Sequence, residues 1–212
     1  MNVGHYYWFF DSALPPKFCD DLIKYGNEKQ EALALTGDYS SKVNNGEPLK
    51  EEEIKNLKKK RDSHVVWLEE PWIYKVIHPF IHAANKNAGW NFDWDFSESC
   101  QFTKYKLNQY YGWHCDGWNK PYSDTEKNKN KIGKIRKLSV TCQLTDGDDY
   151  KGGELEFQYR DNDDPTRTVE CSQAKKRGTI IVFPSFVWHR VKPVTEGTRY
   201  SLVLWNLGAP YK

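Results

Sequence analysis

The sequence has no apolar run approaching the roughly 20 residues that a membrane span requires. It also has no paired-cysteine motif. Cys19, Cys100, Cys115, Cys142 and Cys171 are scattered, odd in number and never in a CxxC spacing. That argues against a disulfide framework and for free thiols in a reducing cytosol. Net charge is nearly absent, at +2 from 31 basic and 29 acidic side chains. So small an excess gives no reason to expect nucleic acid or a membrane as the main partner. Met1 to Phe10 shows no basic segment leading into an apolar stretch, so no secretory signal is expected, and the expected location is cytoplasmic. No internal repeat is present.

What is plentiful is aromatic. Phe, Trp and Tyr make up 15% of the chain, with nine Trp and thirteen Tyr. Such a supply builds an aromatic core and can line a pocket. At 212 residues, 38% hydrophobic and 28% charged, the chain is expected to fold as one soluble domain, residues 1–212.

The hydrophobic pattern divides the chain near residue 96. The first part, 1–95, reads as a helical lead-in. A helix is expected over Pro16 to Gly26, where Pro16 suits a first turn and Phe18, Leu22 and Ile23 share a face. A second, charged helix is expected over Lys50 to Arg61, with Ile54 and Leu57 inward. A third is expected over Trp72 to Ala84, with Trp72, Val76, Phe80 and Ala84 as its buried stripe and Pro79 as a kink or break.

After residue 96 the runs shorten and become rich in β-branched and aromatic residues. Strands are expected over Cys100 to Tyr105, Leu138 to Leu144, Gly153 to Tyr159, Thr166 to Cys171, Gly178 to Pro184 and Arg199 to Asn206. Asp146 to Asp149 and Gly152-Gly153 supply turns. The fold expected is mainly β with flanking helices. Its core is a double-stranded β-helix, or jelly roll, over 96–210, with the N-terminal helices packed on one sheet. Lys120 to Lys137 has seven basic residues and two acids, and reads as a solvated loop or the rim of a site.

His114, Asp116 and His189 are the chemistry-bearing set. On a strand, residues i and i+2 project to one face, so His114 and Asp116 point together while Cys115 points away. A distant His189 completes two imidazoles and a carboxylate, a donor set suited to ferrous iron with open coordination positions. His5, His64, His78 and His82 have no comparable partners and read as ordinary residues. Arg199 and Ser201 share a strand face ten residues after His189. A buried guanidinium needs an anionic partner, and its planar fork matches a carboxylate. A small dicarboxylic acid reaching from the metal to Arg199 satisfies both ends, which is the shape of 2-oxoglutarate.

With these residues the chain resembles the iron(II)/2-oxoglutarate dioxygenases, in the prolyl 4-hydroxylase-like branch and most closely the PKHD-type hydroxylases. The resemblance rests on Tyr105, the Tyr111-Gly112-Trp113-His114-Cys115-Asp116 block, Leu138 to Thr141, Asp148 to Leu155, Phe183-Pro184-Ser185, His189 to Thr195, Gly197, Arg199 and Trp205. The charged middle segment and Trp90 to Phe96 resemble viral, especially phage, members, which would put the protein in a host cytoplasm.

The resemblance implies that His114, Asp116 and His189 hold Fe(2+) and that Arg199 meets the far carboxylate of 2-oxoglutarate. It implies Tyr105, Thr141, Gln143, Leu155 and Ser201 as further cosubstrate-pocket residues, and Trp205 as a pocket wall at the reacting centre. It implies O2 as cosubstrate, succinate and CO2 as coproducts, L-ascorbate as a reductant of oxidised iron, and a prolyl residue of a peptide or protein as substrate. Two departures stand out. Trp205 occupies the position where nucleic-acid demethylases of the superfamily carry a second Arg. Lys106-Leu107-Asn108 replaces a stretch that bears glycine in relatives. Other readings are a hydroxylase of free proline or another amino acid, an idle jelly-roll binding module, and a zinc hydrolase using Glu154 or Glu156 as base.

Overall fold

The computed structural model describes residues 4–44, 46–117, 120–159, 164 and 166–211. Its first half runs β1 (Trp8–Phe10), α1 (Pro16–Asn27), β2 (Ala32–Leu33), α2 (Gly37–Asn44), α3 (Glu51–Lys58), β3 (Arg61–Asp62), β4 (His64–Leu68) and α4 (Pro71–Asn87). Then follow β5 (Phe96–Ser97), β6 (Cys100–Tyr105), β7 (Tyr110–His114), β8 (Ile135–Gln143), β9 (Tyr150–Gly152), β10 (Leu155–Gln158) and β11 (Thr168–Glu170). The chain closes with β12 (Ile180–Pro184), β13 (Trp188–Val191), β14 (Val194–Gly197) and β15 (Arg199–Gly208).

Two antiparallel sheets form the body. The major sheet has the order β1-β12-β8-β15-β6-β4-β2, with β5 pairing to β15, and the minor sheet has the order β11-β10-β13-β7-β3. Strands β9 and β14 pair separately. This is the expected double-stranded β-helix. The lead-in is not purely helical, because β1, β2 and β4 extend the major sheet and β3 extends the minor one.

Alternation along the major sheet assigns its two faces. In β8, Leu138, Val140 and Cys142 join the core under the helices, and Ser139, Thr141 and Gln143 face the other way. Cys19 and Leu22 of α1 and Ile73, Ile77, Ile81 and Ala84 of α4 cover the apolar face, as expected of helices packed on one sheet. Helix α1 comes so close that a Cβ on Gly26 would lie 2.5 Å from the Phe102 ring. A second, smaller core between the sheets contains Tyr105, Leu155, Phe157, Phe183, Val187 and Val191.

Three local expectations need correction. The charged helix ends at Lys58, and Arg61 belongs to β3, where it pairs with Tyr111. Helix α4 runs unbroken through Pro79, and its buried stripe is Ile73, Ile77, Ile81 and Ala84, with Trp72 39% exposed. Apolar residues occupy several faces of α4, so spacing by four fitted two stripes, and the β-branched one packs inward. The segment from Lys120 to Lys137 is tied down. Tyr122 N donates to Lys134 O, Tyr122 OH to Glu98 Oε1, and Lys131 and Arg136 pair with the Glu98 carboxylate.

Candidate metal centre

The three expected ligands converge between the sheets. His114 ends β7, His189 lies in β13, and the two are register partners. Asp116 lies beyond the end of β7, so strand parity does not place it. Its position is set instead by the amides of Asp116 and Gly117, which both donate to Ser185 O, at 2.9 and 2.8 Å. The donor atoms of all three residues lie within 4.8 Å of one another. His114 Nε2 is 3.6 Å from Asp116 Oδ1, and His189 Nε2 is 3.6 Å from Asp116 Oδ2. No other group of three or more metal-ligating side chains occurs among the described residues.

The ring orientations are fixed by the backbone. His114 Nδ1 faces Gly112 O at 2.8 Å, and His189 Nδ1 faces Val187 O at 3.0 Å. A carbonyl only accepts, so each Nδ1 carries the proton and each Nε2 offers its lone pair to the centre. Burial, reinforced by His189, pulls His114 down to about 3. Burial works to raise Asp116, but His189, His114 and Arg136 outweigh it and bring the carboxyl to about 2. A neutral imidazole beside an ionised carboxylate is what a divalent cation demands of its ligands. Tyr111 stacks on His114 at 3.5 Å between ring centroids, and Phe183 meets His189 edge-on at 4.7 Å.

A narrow pocket leads from these ligands between the sheets. Tyr105, Thr141, Leu155, Arg199, Ser201 and Trp205, all named from the sequence, line it. Arg199 is 2% exposed and finds little to bond with. Its Nη1 donates to Ser201 Oγ at 3.3 Å, its guanidinium lies 5.5 Å from the Tyr105 ring centroid, and its Nε has no partner among the described residues. No carboxylate among the described residues pairs with it. Gly153 has a positive φ of +63°, and a Cβ there would lie 3.0 Å from the Arg199 stem, so glycine leaves that stem its room.

Gln143 is the expected pocket residue that does not line it. Its Nε2 donates to Thr145 O and to the Tyr150 hydroxyl, which draws the amide aside. Conversely, Gln101, Tyr111, Phe183, Val191 and Val203 line the pocket without having been given a pocket role from the sequence. Gln101 and Val203 were findable, since Val203 shares parity with Arg199 and Ser201 and pairs with Gln101. The glycine missing near Lys106 is answered by Asn108, which takes the left-handed conformation at φ 63° that asparagine tolerates. The other histidines are engaged elsewhere: His64 with Gln109, His78 with Ser97 and His82 stacked on Trp94.

Residues 100–206, just over half of the chain, match the model of the 2OG-Fe(II) oxygenase superfamily. The chain belongs to that superfamily. A PKHD-type hydroxylase from Synechococcus sp. (strain CC9605) is 36% identical over 95 residues, 45% of this chain and 35% of that protein. One from Alteromonas mediterranea is 32% identical over 105 residues, 49% of this chain and 41% of that protein. The matches thus span well under half of these curated relatives. Among solved structures, a viral collagen prolyl hydroxylase from Paramecium Bursaria Chlorella virus-1 superposes with a TM-score of 0.64 at 20% identity, over 97% of this chain and 98% of that one. A prolyl hydroxylase from Trichoplax adhaerens gives 0.66 at 15% identity, over 96% and 84%. These superpositions bear on the fold.

The residues present fit the superfamily's groups. Two neutral imidazoles and one carboxylate suit iron(II), and the unpaired, buried Arg199 suits an anion.

Proposed function

We propose that this chain is an Fe(II)- and 2-oxoglutarate-dependent oxygenase that hydroxylates an unactivated C–H, on a prolyl residue of a peptide or protein. The observation that carries the proposal is Arg199. A guanidinium at 2% exposure with an unpartnered Nε is costly unless an anion joins it. It stands in the same pocket as a His2Asp donor set.

His114, Asp116 and His189 would hold the iron, with Nε2 lone pairs aimed by Gly112 O and Val187 O. Arg199, with Ser201 Oγ beside it, would receive the far carboxylate of 2-oxoglutarate. Together, iron, 2-oxoglutarate and O2 supply the oxidising power, with succinate and CO2 as coproducts and ascorbate as a reductant of spent iron. The protein's part is ligation, orientation and exclusion of water. Phe183, Leu155 and Val191 close the inner wall, and Tyr111 fixes the plane of His114.

The aromatic wall of Tyr111 and Trp205 and the prolyl hydroxylases among the structural neighbours support the prolyl substrate. The Trichoplax adhaerens neighbour is seen with a hypoxia inducible factor peptide fragment. A zinc hydrolase is disfavoured because both candidate bases are already engaged. Glu156 accepts from Arg190 Nε at 2.6 Å and Glu154 from Lys175 Nζ at 3.1 Å, on the side of β10 opposite to pocket-lining Leu155.

The test is anaerobic titration of iron-loaded protein with 2-oxoglutarate, read by a charge-transfer band, followed by an aerobic peptide screen read by a gain of about 16 Da. His114→Ala should lose metal binding. Iron-loaded wild type that gives no band and binds no 2-oxoglutarate overturns the proposal. Turnover without any mass gain on prolyl peptides removes only the substrate.

A further inference from the structure

We propose that Trp67 is an outer subsite for the substrate chain, receiving an apolar ring, foremost that of a second proline, next to the residue held at the metal centre. The inference rests on the prolyl-peptide reading above and extends it outward.

A singly exposed hydrophobic side chain is ordinary in a folded protein. Trp67 differs in where it stands. In β4, Val66 and Leu68 point into the core under the helices, so Val65 and Trp67 point to the pocket side of the major sheet. The register then makes one continuous row across the strands: Trp67 pairs with Gln101, Gln101 with Val203, Val203 with Thr141, and Thr141 with Ile181. Gln101, Val203 and Thr141 all line the pocket. Trp67 is therefore the outer end of the pocket floor, and at 52% exposure it is the part of that floor open to solvent.

Its neighbour on the same floor is Trp205, a lining residue of the pocket. Trp205 is 6% exposed, and Arg136 lies 3.9 Å from its ring centroid. Its indole Nε1 is buried and has no acceptor among the described residues, although a buried indole N–H usually finds one. Trp67 and Trp205 have centroids 6.1 Å apart and planes inclined at 42°. The ledge thus presents the exposed Trp67 indole, with the buried Trp205 indole beside it joining it to the metal pocket. A peptide leaving that pocket meets the open aromatic face of Trp67, which can receive a ring. Proline supplies such a ring. It keeps the chain in the polyproline II form, with a rise of about 3.1 Å per residue and unbonded carbonyls. Prolines in that form dock in aromatic-lined grooves at little entropic cost.

The experiment uses the full chain loaded with Mn(2+) and 2-oxoglutarate under nitrogen, and a fluorescein-labelled polyproline peptide beside one with a single proline among alanines. Anisotropy gives the two affinities. Trp67→Ala should weaken the polyproline peptide by roughly tenfold, the scale of one aromatic contact, and the single-proline peptide much less. Trp67→Phe should recover most of the loss. In turnover, the Ala variant should raise KM and leave kcat near wild type. Equal losses for both peptides, or none, overturn the subsite. If wild type binds 2-oxoglutarate but neither peptide, the subsite falls while the oxygenase reading stands. Intact 2-oxoglutarate binding by Trp67→Ala shows that the variant is folded.

Discussion

The two faces of the major sheet are made by the same strands and have opposite characters. On β8 and β15 the helix-side residues are Leu138, Val140, Cys142, Leu202 and Leu204, all within the core. The pocket-side residues of those strands include Ser139, Thr141, Gln143, Arg199 and Ser201, all buried and all polar. One face buries apolar area and keeps few unmet bonds. The other leaves Arg199 Nε, Gln143 Oε1 and Trp205 Nε1 without partners among the described residues. Native interiors rarely leave buried donors and acceptors unmatched, and where they do a ligand site is a common reason. The sheet therefore separates holding the fold from binding. Each perturbation below is aimed at one face and should leave the other's property alone.

The largest effect is expected on the helix side. Phe102 is 1% exposed, fills the space left by Gly26 and stacks with Tyr200 at 5.6 Å. Phe102→Ala should cost about 3–5 kcal/mol of stability, measured by denaturant unfolding. At low temperature, where the variant is folded, its 2-oxoglutarate affinity should match wild type. A large loss of affinity there would break the separation of the faces.

Arg199→Met reverses the pattern. It removes a buried charge with no partner and keeps an apolar stem of similar length. Ligand-free protein should melt at or above the wild-type temperature, while 2-oxoglutarate binding weakens by about 2–5 kcal/mol. A lower melting temperature without ligand would mean that Arg199 has a structural partner after all.

These contrasts explain what could be read from the sequence. Strand alternation is a strong local signal, so β6 was placed at both its bounds and Arg199 and Ser201 were set on one face. The metal set was legible from its residue types and spacing, not from alternation alone, since Asp116 reaches its place through Ser185 O, a contact far away in sequence. Loop tethers carry no period. Nothing around Glu98 announces that Tyr122, Lys131 and Arg136 will converge on it, so a basic stretch reads as solvated. The strands of the lead-in are two to five residues long, too short to display alternation.

That Glu98 tether gives a third, smaller effect, at the edge of the pocket. Burial works to raise the Glu98 carboxyl, but Arg136, Lys131 and the Tyr122 hydroxyl outweigh it and hold it below the ordinary glutamate value of 4.5. A depressed folded value means stabilisation that is fully present above pH 4.5. It is lost as the pH falls below that value and through the lower folded one. Glu98→Gln should therefore melt lower than wild type at neutral pH, and the gap should narrow on acidification. Parallel melting curves across that range would remove Glu98 as the anchor of residues 120–137.

The smallest effect sharpens the comparison most. Ser201 Oγ accepts from Arg199 Nη1 at 3.3 Å, is 2% exposed and lies on the pocket side of β15, next to core residue Leu202. Ser201→Ala removes one hydroxyl and no packing volume of consequence. It takes away the sole hydrogen-bond acceptor that Arg199 has among the described residues, so the guanidinium becomes still more dependent on an incoming carboxylate. Two consequences oppose each other. The arginine is held less firmly in the ligand-free protein, which costs affinity through orientation. It is also less satisfied there, which favours the bound state. The hydrogen bond is long, so orientation should dominate only slightly. The expected result is a loss of 2-oxoglutarate affinity of about 0.5–1.5 kcal/mol with unfolding stability changed by no more than that. Calorimetric titration and denaturant unfolding of the same variant decide it. A stability loss on the scale of Phe102→Ala would show that the polar face carries the fold as well.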